Sequence, residues 1–229
     1  MLFLIILTGC SSAESKKAKH LARAEDYIQE EKFPEAIIEY RNAIQIDPED
    51  AETQYKLGIA HLKIGDLPHI RQAFAALNTS LEMNPGNTDA HLKIGMLHTL
   101  AGDYKKAIEK GKIVTEKEPE NVEGYLLLGN GLVRQKTFEP AITAIKKAIQ
   151  LDPKRIGAYI NLGDVYVAQQ NMNAAEKSYK EAVKKISKMD ILSCTLIKRH
   201  CIMLYGKIRW QEAQTSDVSR NTDSGSQTG

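Results

Sequence analysis

The sequence predicts an all-α protein, a solenoid of about five helix–turn–helix units, and three observations carry that prediction. Acid- or Asn-Pro pairs close successive units at Pro48, Pro85, Pro119 and Pro153, which lie 37, 34 and 34 residues apart. A glycine stands inside a first helix at Gly58, Gly95, Gly129 and Gly163, with the same three spacings. Between these markers apolar residues recur in steps of three and four, the buried stripe of an amphipathic helix. The clearest unit is 122–155. Tyr125, Leu128 and Leu132 share one face of its first helix, Gln135-Lys136-Thr137 breaks the pattern, and Ala141, Ile145, Ala148 and Ile149 line the second. Asp152-Pro153 ends it, because proline has no N–H for the helical ladder and disfavours helix at the residue before it.

Further markers keep the period. Ala36, Ala107, Ala141 and Ala175 recur near the start of second helices, and Ala43, Ala148 and Ala182 near their ends. Tyr27 and Tyr166 match one another, as do Tyr40 and Tyr179, and each helical glycine follows Leu or Ile. Over residues 17–189 this pattern resembles the tetratricopeptide repeat (TPR) family. The resemblance implies a right-handed α-solenoid whose first helices line an inner, concave face. A glycine inside a helix costs about 1 kcal/mol against alanine, so close packing is expected there, with the first helix resting on the alanine of the second.

In chain order, residues 1–9 are apolar and too short to span a bilayer. They end in Leu7-Thr8-Gly9-Cys10, which resembles the bacterial lipobox and implies acylation of Cys10 after removal of 1–9. Ser11 after the cysteine resembles the outer-membrane sorting pattern. No Lys or Arg precedes the apolar run, which points to a start upstream of Met1 or to a fragment. Residues 10–16 are expected to be a polar tether. Units follow at 17–50, 51–87, 88–121, 122–155 and 156–189. The second unit carries three extra residues, placed in or beside its second helix, because Leu67, Ile70, Phe74, Leu77 and Leu81 keep helical steps throughout. One longer helix is therefore expected, with Ala75-Ala76-Leu77 as the residues whose removal would restore the period. Residues 190–214 read as a degenerate sixth unit or capping helix and 215–229 as a disordered tail.

Composition excludes more than it names. A formal net charge of +2 with 26% charged residues argues against nucleic-acid binding. There is no metalloprotease helix motif, nucleophile elbow, phosphate loop or CxxC pair, so no catalytic role, cofactor or metal is expected. Cys194 and Cys201, seven apart, are beyond disulfide reach on one helix. His61, His91 and His98 take aromatic positions of the repeat and are expected to be packing residues. Projecting the TPR unit onto the chain gives an inner face of Tyr55, Lys56, Ile59, Lys63, Lys93, Met96, Leu126, Asn130, Arg134, Asn161 and Asp164. Asn130 and Asn161 match the asparagines with which some TPR proteins hold a partner's C-terminal carboxylate, whereas Leu126 stands where that clamp has its first lysine. The expected peptide groove comprises Tyr55, Lys56, Lys63, Lys93, Asn130, Arg134, Asn161 and Asp164, basic in its middle. The expected function is a non-catalytic protein–protein scaffold, lipid-anchored in the bacterial envelope at the periplasmic face of the outer membrane. The lipobox-plus-array arrangement resembles TPR lipoproteins of PEP-CTERM and exopolysaccharide systems. A type IV pilus assembly lipoprotein, or the TPR portion of an enzyme such as a glycosyltransferase, are the alternatives.

Overall fold

The computed structural model describes residues 7–186. Ten helices follow one another: α1 (Leu7–Gln29), α2 (Phe33–Ile46), α3 (Ala51–Ile64), α4 (Leu67–Met83), α5 (Thr88–Leu100), α6 (Tyr104–Lys117), α7 (Val122–Arg134), α8 (Phe138–Leu151), α9 (Ile156–Ala168) and α10 (Met172–Ile186). They pair into five antiparallel hairpins, and the predicted starts at 51, 88, 122 and 156 coincide with the starts of α3, α5, α7 and α9. Residues 10–16, expected to form a tether, are instead part of α1. The expectations for 190–214 and 215–229 lie outside the described residues.

Local chemistry sets the boundaries. Asp50, Asp66, Asn87, Asp103 and Asn121 each accept backbone N–H bonds in the first turn of the helix that follows, which satisfies donors that have no partner inside the helix. The turn inside each hairpin requires one residue with positive φ. Gly65 and Gly102 supply it at φ 76° and 78°, whereas Glu31, Lys136 and Gln170 are held there at 57°, 60° and 61°. Each second helix from α2 to α8 ends two residues before a proline, and the cap residue between them has φ between −138° and −127°.

The irregular hairpin has the longer helix that the unbroken apolar steps predict. α4 holds 17 residues against 14 in α2, α6 and α8. The extra turn is not at Ala75–Leu77, however. The buried alanine is the fourth residue of α2 (Ala36), α6 (Ala107), α8 (Ala141) and α10 (Ala175), but Ala73 is the seventh of α4. From that alanine to the cap residue the spacing is the same in α2, α4, α6 and α8. The insertion is thus the first turn, Leu67-Pro68-His69, and Leu67 is 62% exposed.

The helical glycines also have a different partner from the one expected. A Cβ at Gly58 would lie 2.7 Å from Leu77 Cγ, one at Gly129 would lie 2.6 Å from Ile145 Cγ1, and one at Gly163 would enter the Tyr179 ring. The notch therefore receives a large side chain of the second helix. The alanines Ala73 and Ala141 contribute only a backbone carbonyl beside it.

The described helices form two compact units that divide between Glu118 and Pro119. The first unit has a core of Ala24, Ala36, Ile37, Tyr40, Leu57, Ala60 and Ala76. It continues into a cluster of Leu77, Ala90, Ile94 and Leu97. In the second unit Ile142, Ile145, Leu162 and Val165 pack together, with Leu126, Ala148 and Ala158 adjoining the interface of α7, α8 and α9.

Candidate functional site

The residues expected to line one groove fall four into each unit. In the first unit, Tyr55 is not an open groove residue. It packs on the Leu77–Ile94 cluster, and burial, then the charges of Asp89 and Glu52, push its phenol pKa up. Lys56 reaches from α3 to α1, where its Nζ donates to Glu25 Oε1 at 2.7 Å. The same Glu25 oxygen accepts from Tyr40 Oη at 3.0 Å. This corrects the basic middle of the groove, since the Lys56 charge is matched locally. Lys63 is exposed, Lys93 half-buried, and Ile59 half-buried beside them. Met96 and Leu100 on α5 are 54% and 77% exposed.

In the second unit, Leu126 is buried at 7% against Ala148 and Ala158 and is a core residue, which is why no lysine stands there. Asn130 and Asn161 are brought together: Asn161 Nδ2 donates to Asn130 Oδ1 at 3.0 Å, from α9 to α7. Each asparagine has two amide hydrogens and an oxygen with two lone pairs. The bond therefore leaves the Asn130 NH₂ and the Asn161 oxygen outside the pairing. Asp164 is exposed and accepts a hydrogen bond from Tyr179 Oη. Arg134 is exposed at the end of α7.

The two units repeat one geometry. Glu25 follows Ala24, which holds the glycine position of the first hairpin, and Asn130 follows Gly129. Lys56 and Asn161 each stand two residues before the glycine of the next hairpin. Neighbouring first helices are thus tied at equivalent positions, by a charged pair in the first unit and by an amide pair in the second. Ile59 and Lys93 take these two positions between the second and third hairpins. A second rule links the acid to the notch. Glu25 and Asp164 each receive the hydroxyl of a tyrosine 15 residues later, Tyr40 and Tyr179, and both rings are 1% exposed. Glu25 was missed by sequence reasoning, although the acid-to-tyrosine interval recurs in the sequence and marks it.

The histidines behave as packing groups with one difference from tyrosine. His91 Nε2 lies 3.1 Å from Pro85 O; a carbonyl only accepts, so Nε2 carries the proton. Nδ1 of His91 and Nδ1 of His61 are buried without a hydrogen-bond partner. Burial, reinforced by Arg41 and His69, brings His61 down to about 4, and burial lowers His91 as well. Among the described residues no group of three His, Cys, Asp or Glu is placed to hold a metal ion. Nor is any described helix long and apolar enough to cross a membrane. Cys10 lies near the start of α1; Cys194 and Cys201 lie outside the described residues.

Family profiles match along the chain: a TPR repeat at residues 24–65, and tetratricopeptide repeats at 69–121, 122–155 and 156–184. No curated protein matches. Among solved structures, MamA residues 41 to the end from Desulfovibrio magneticus RS-1 is 22% identical with a TM-score of 0.72, covering 77% of this chain and 98% of that one. Another MamA crystal structure is 25% identical with a TM-score of 0.66, over 72% of this chain and 95% of that one. YrrB, described as a TPR protein with an unusual peptide-binding site, is 16% identical with a TM-score of 0.65, over 80% and 90%. By hairpin geometry, repeat markers and profile matches alike, the chain belongs to the tetratricopeptide repeat family.

Proposed function

We propose that this chain is a non-catalytic protein–protein interaction scaffold that holds an extended segment of a partner against the first helices of its hairpins. The observation that carries this reading is the Asn161–Asn130 bond. It presents a donor and an acceptor side by side, at a spacing set by two packed helices rather than by a loop. Such amides fix the register of a peptide backbone, while Arg134 in the same unit favours encounter with acidic or neutral segments. The peptide-binding description attached to YrrB supports the same reading. We further propose a lipid anchor at Cys10, on the strength of Leu7-Thr8-Gly9-Cys10, with residence at the periplasmic face of the outer membrane and a role in an envelope, secretion or polysaccharide-export assembly. An acyl chain contributes about 0.8 kcal/mol per buried CH₂.

Two experiments test the two halves. After in-cell crosslinking identifies the partner, Asn130→Ala with Asn161→Ala is expected to weaken capture by about tenfold to thirtyfold, at about 1 kcal/mol for each lost hydrogen bond, with helix content unchanged. Unchanged affinity would remove the first-helix face as the binding surface. Metabolic labelling with a fatty-acid analogue is expected to mark the wild type but not Cys10→Ser, and an unlabelled wild type would end the anchor reading.

A further inference from the structure

The inserted first turn of α4 has no counterpart in the other hairpins, and its contacts are unusual. His69, on that turn, places its ring 5.3 Å from the ring of His61 on α3. His61 is 2% exposed and its Nδ1 has no partner. Asp66 holds the turn in place from both sides. Its Oδ1 accepts the His69 backbone N–H at 2.9 Å and lies 2.5 Å from His69 Nδ1, while its carbonyl accepts from Ile70 N at 2.8 Å. The charged and titratable groups acting on His61 are Arg41 from α2, and Asp66 and His69 from the start of α4.

From this arrangement we propose that Leu67-Pro68-His69 is a pH-sensitive latch, closed over a neutral His61 and lifted when that buried ring is protonated. A proton on His61 gives a buried imidazolium whose Nδ1–H has no acceptor, with the Arg41 cation acting on it from α2. The Asp66 carboxylate bonds to His69 and leaves His61 Nδ1 without a partner, so the buried charge is relieved when the turn moves and water reaches the ring. Leu67 is already exposed, so lifting the turn removes little apolar burial. The latch uses no residue of the proposed peptide face.

Hydrogen exchange of the intact chain at pH 7 and pH 5, corrected for the intrinsic rate, tests this. Amides of 67–72 are expected to lose at least tenfold in protection at pH 5, while those of α7 and α8 keep theirs. His61→Tyr, which installs the residue found at the equivalent positions Tyr27 and Tyr166, is expected to abolish the loss. His69→Gln, which leaves the buried ring untouched, is expected to keep the loss. No change in the wild type, or the same loss in His61→Tyr, would overturn the proposal. So would a loss of equal size throughout α3–α6, which is unit unfolding rather than a latch.

Discussion

The third and fifth hairpins, one in each unit, meet the same requirement with different side chains. In both, the first aromatic of the hairpin reaches back six residues to a proline carbonyl that has no helical partner. His91 does so through Nε2 and Tyr159 through its hydroxyl, each at 3.1 Å. The phenol has no other ring nitrogen to satisfy; the imidazole leaves Nδ1 buried and bare. Two turns of helix further on, His98 in the third hairpin again stands where the fifth has Tyr166. Among the described residues all histidines lie in the first unit. The stacking is indifferent to this exchange, but the titration of the core is not. The first unit has a pH-dependent interior, and the described residues of the second contain no histidine to give it one.

The largest expected effect removes the first unit's irregularity. Deleting Leu67-Pro68-His69 leaves Gly65-Asp66-Ile70-Arg71-Gln72-Ala73, the pattern of Gly102-Asp103-Tyr104-Lys105-Lys106-Ala107, with Asp66 still positioned to cap. Its cost is expected to stay within about 1 kcal/mol. Deleting Ala75-Ala76-Leu77 restores the same count but takes Leu77, 0% exposed, out of the Gly58 notch. That deletion is expected to cost about 3 kcal/mol or more, the range of large core truncations. Urea denaturation of both deletions decides between the two placements of the insertion.

Acid is expected to separate the units next. His61 is neutral when folded, with its pKa brought down to about 4, against about 6.5 unfolded. The unfolded chain therefore binds more protons, and stability falls as pH drops below about 6.5, until the loss is complete below about 4. At pH 5 the cost is about 2 kcal/mol from His61 alone. His91 adds to it with the same sign, because burial lowers it too. Exchange protection measured peptide by peptide is expected to fall first at 67–72, and at lower pH to be lost through α3–α6 before α7–α9. His91→Tyr, which rebuilds the Tyr159 arrangement, is expected to recover about 1 kcal/mol at pH 5, on the scale of one buried unsatisfied group. A fall in step across both units would erase the comparison.

The parts legible in the sequence are those written in local chemistry. Caps, the prolines after each second helix and the 34-residue period announce themselves, because each arises from backbone requirements that a few residue types meet. The lengthened α4 was legible for the same reason, since its apolar steps never break. Its end was not. Adding three residues to either end of a helix leaves the same count, and only contact with the Gly58 notch distinguishes them. Tyr55 and Leu126 were misplaced because projection onto a repeat assigns directions, while the bulk of the neighbouring hairpin decides burial. Lys56 shows the remaining gap. Its charge is matched by Glu25, 31 residues earlier, and pairing across hairpins is invisible to a pattern read one unit at a time.

A smaller effect sharpens the second unit. Lys136 and Gln170 hold the positive-φ turn position that Gly65 and Gly102 fill in the first unit. An L side chain pays about 1 kcal/mol there. Lys136→Gly and Gln170→Gly are each expected to stabilise by somewhat less than that, because glycine also adds freedom to the unfolded chain. A rise in Tm for both variants, with unchanged helix content, is the expected reading. Destabilisation would show that those side chains make contacts worth more than the backbone strain.

The smallest effect tests whether the two units are equivalent at the tie between neighbouring first helices. Asn130→Glu with Asn161→Lys copies the Glu25–Lys56 pair into the second unit. That pair is about two-fifths exposed on each side, at 43% and 37%, so its coupling is expected to be only about 0.5 kcal/mol. Each single change is expected to be near neutral, since a carboxylate at 130 still accepts from Asn161 Nδ2 and an ammonium at 161 still donates to Asn130 Oδ1. The copy will also be weaker than the original. Glu25 is steadied by the Tyr40 hydroxyl, whereas the residue in the Gly129 notch is Ile145, which has no donor. A double-mutant cycle by urea denaturation at low and high salt measures the coupling. It is expected to shrink as salt screens the exposed charges, and adding Ile145→Tyr is expected to raise it if the notch admits the ring as the Gly163 notch admits Tyr179. No coupling at low salt would mean that position 130 does not face position 161 as Glu25 faces Lys56, and the shared geometry of the two units would then end at the backbone.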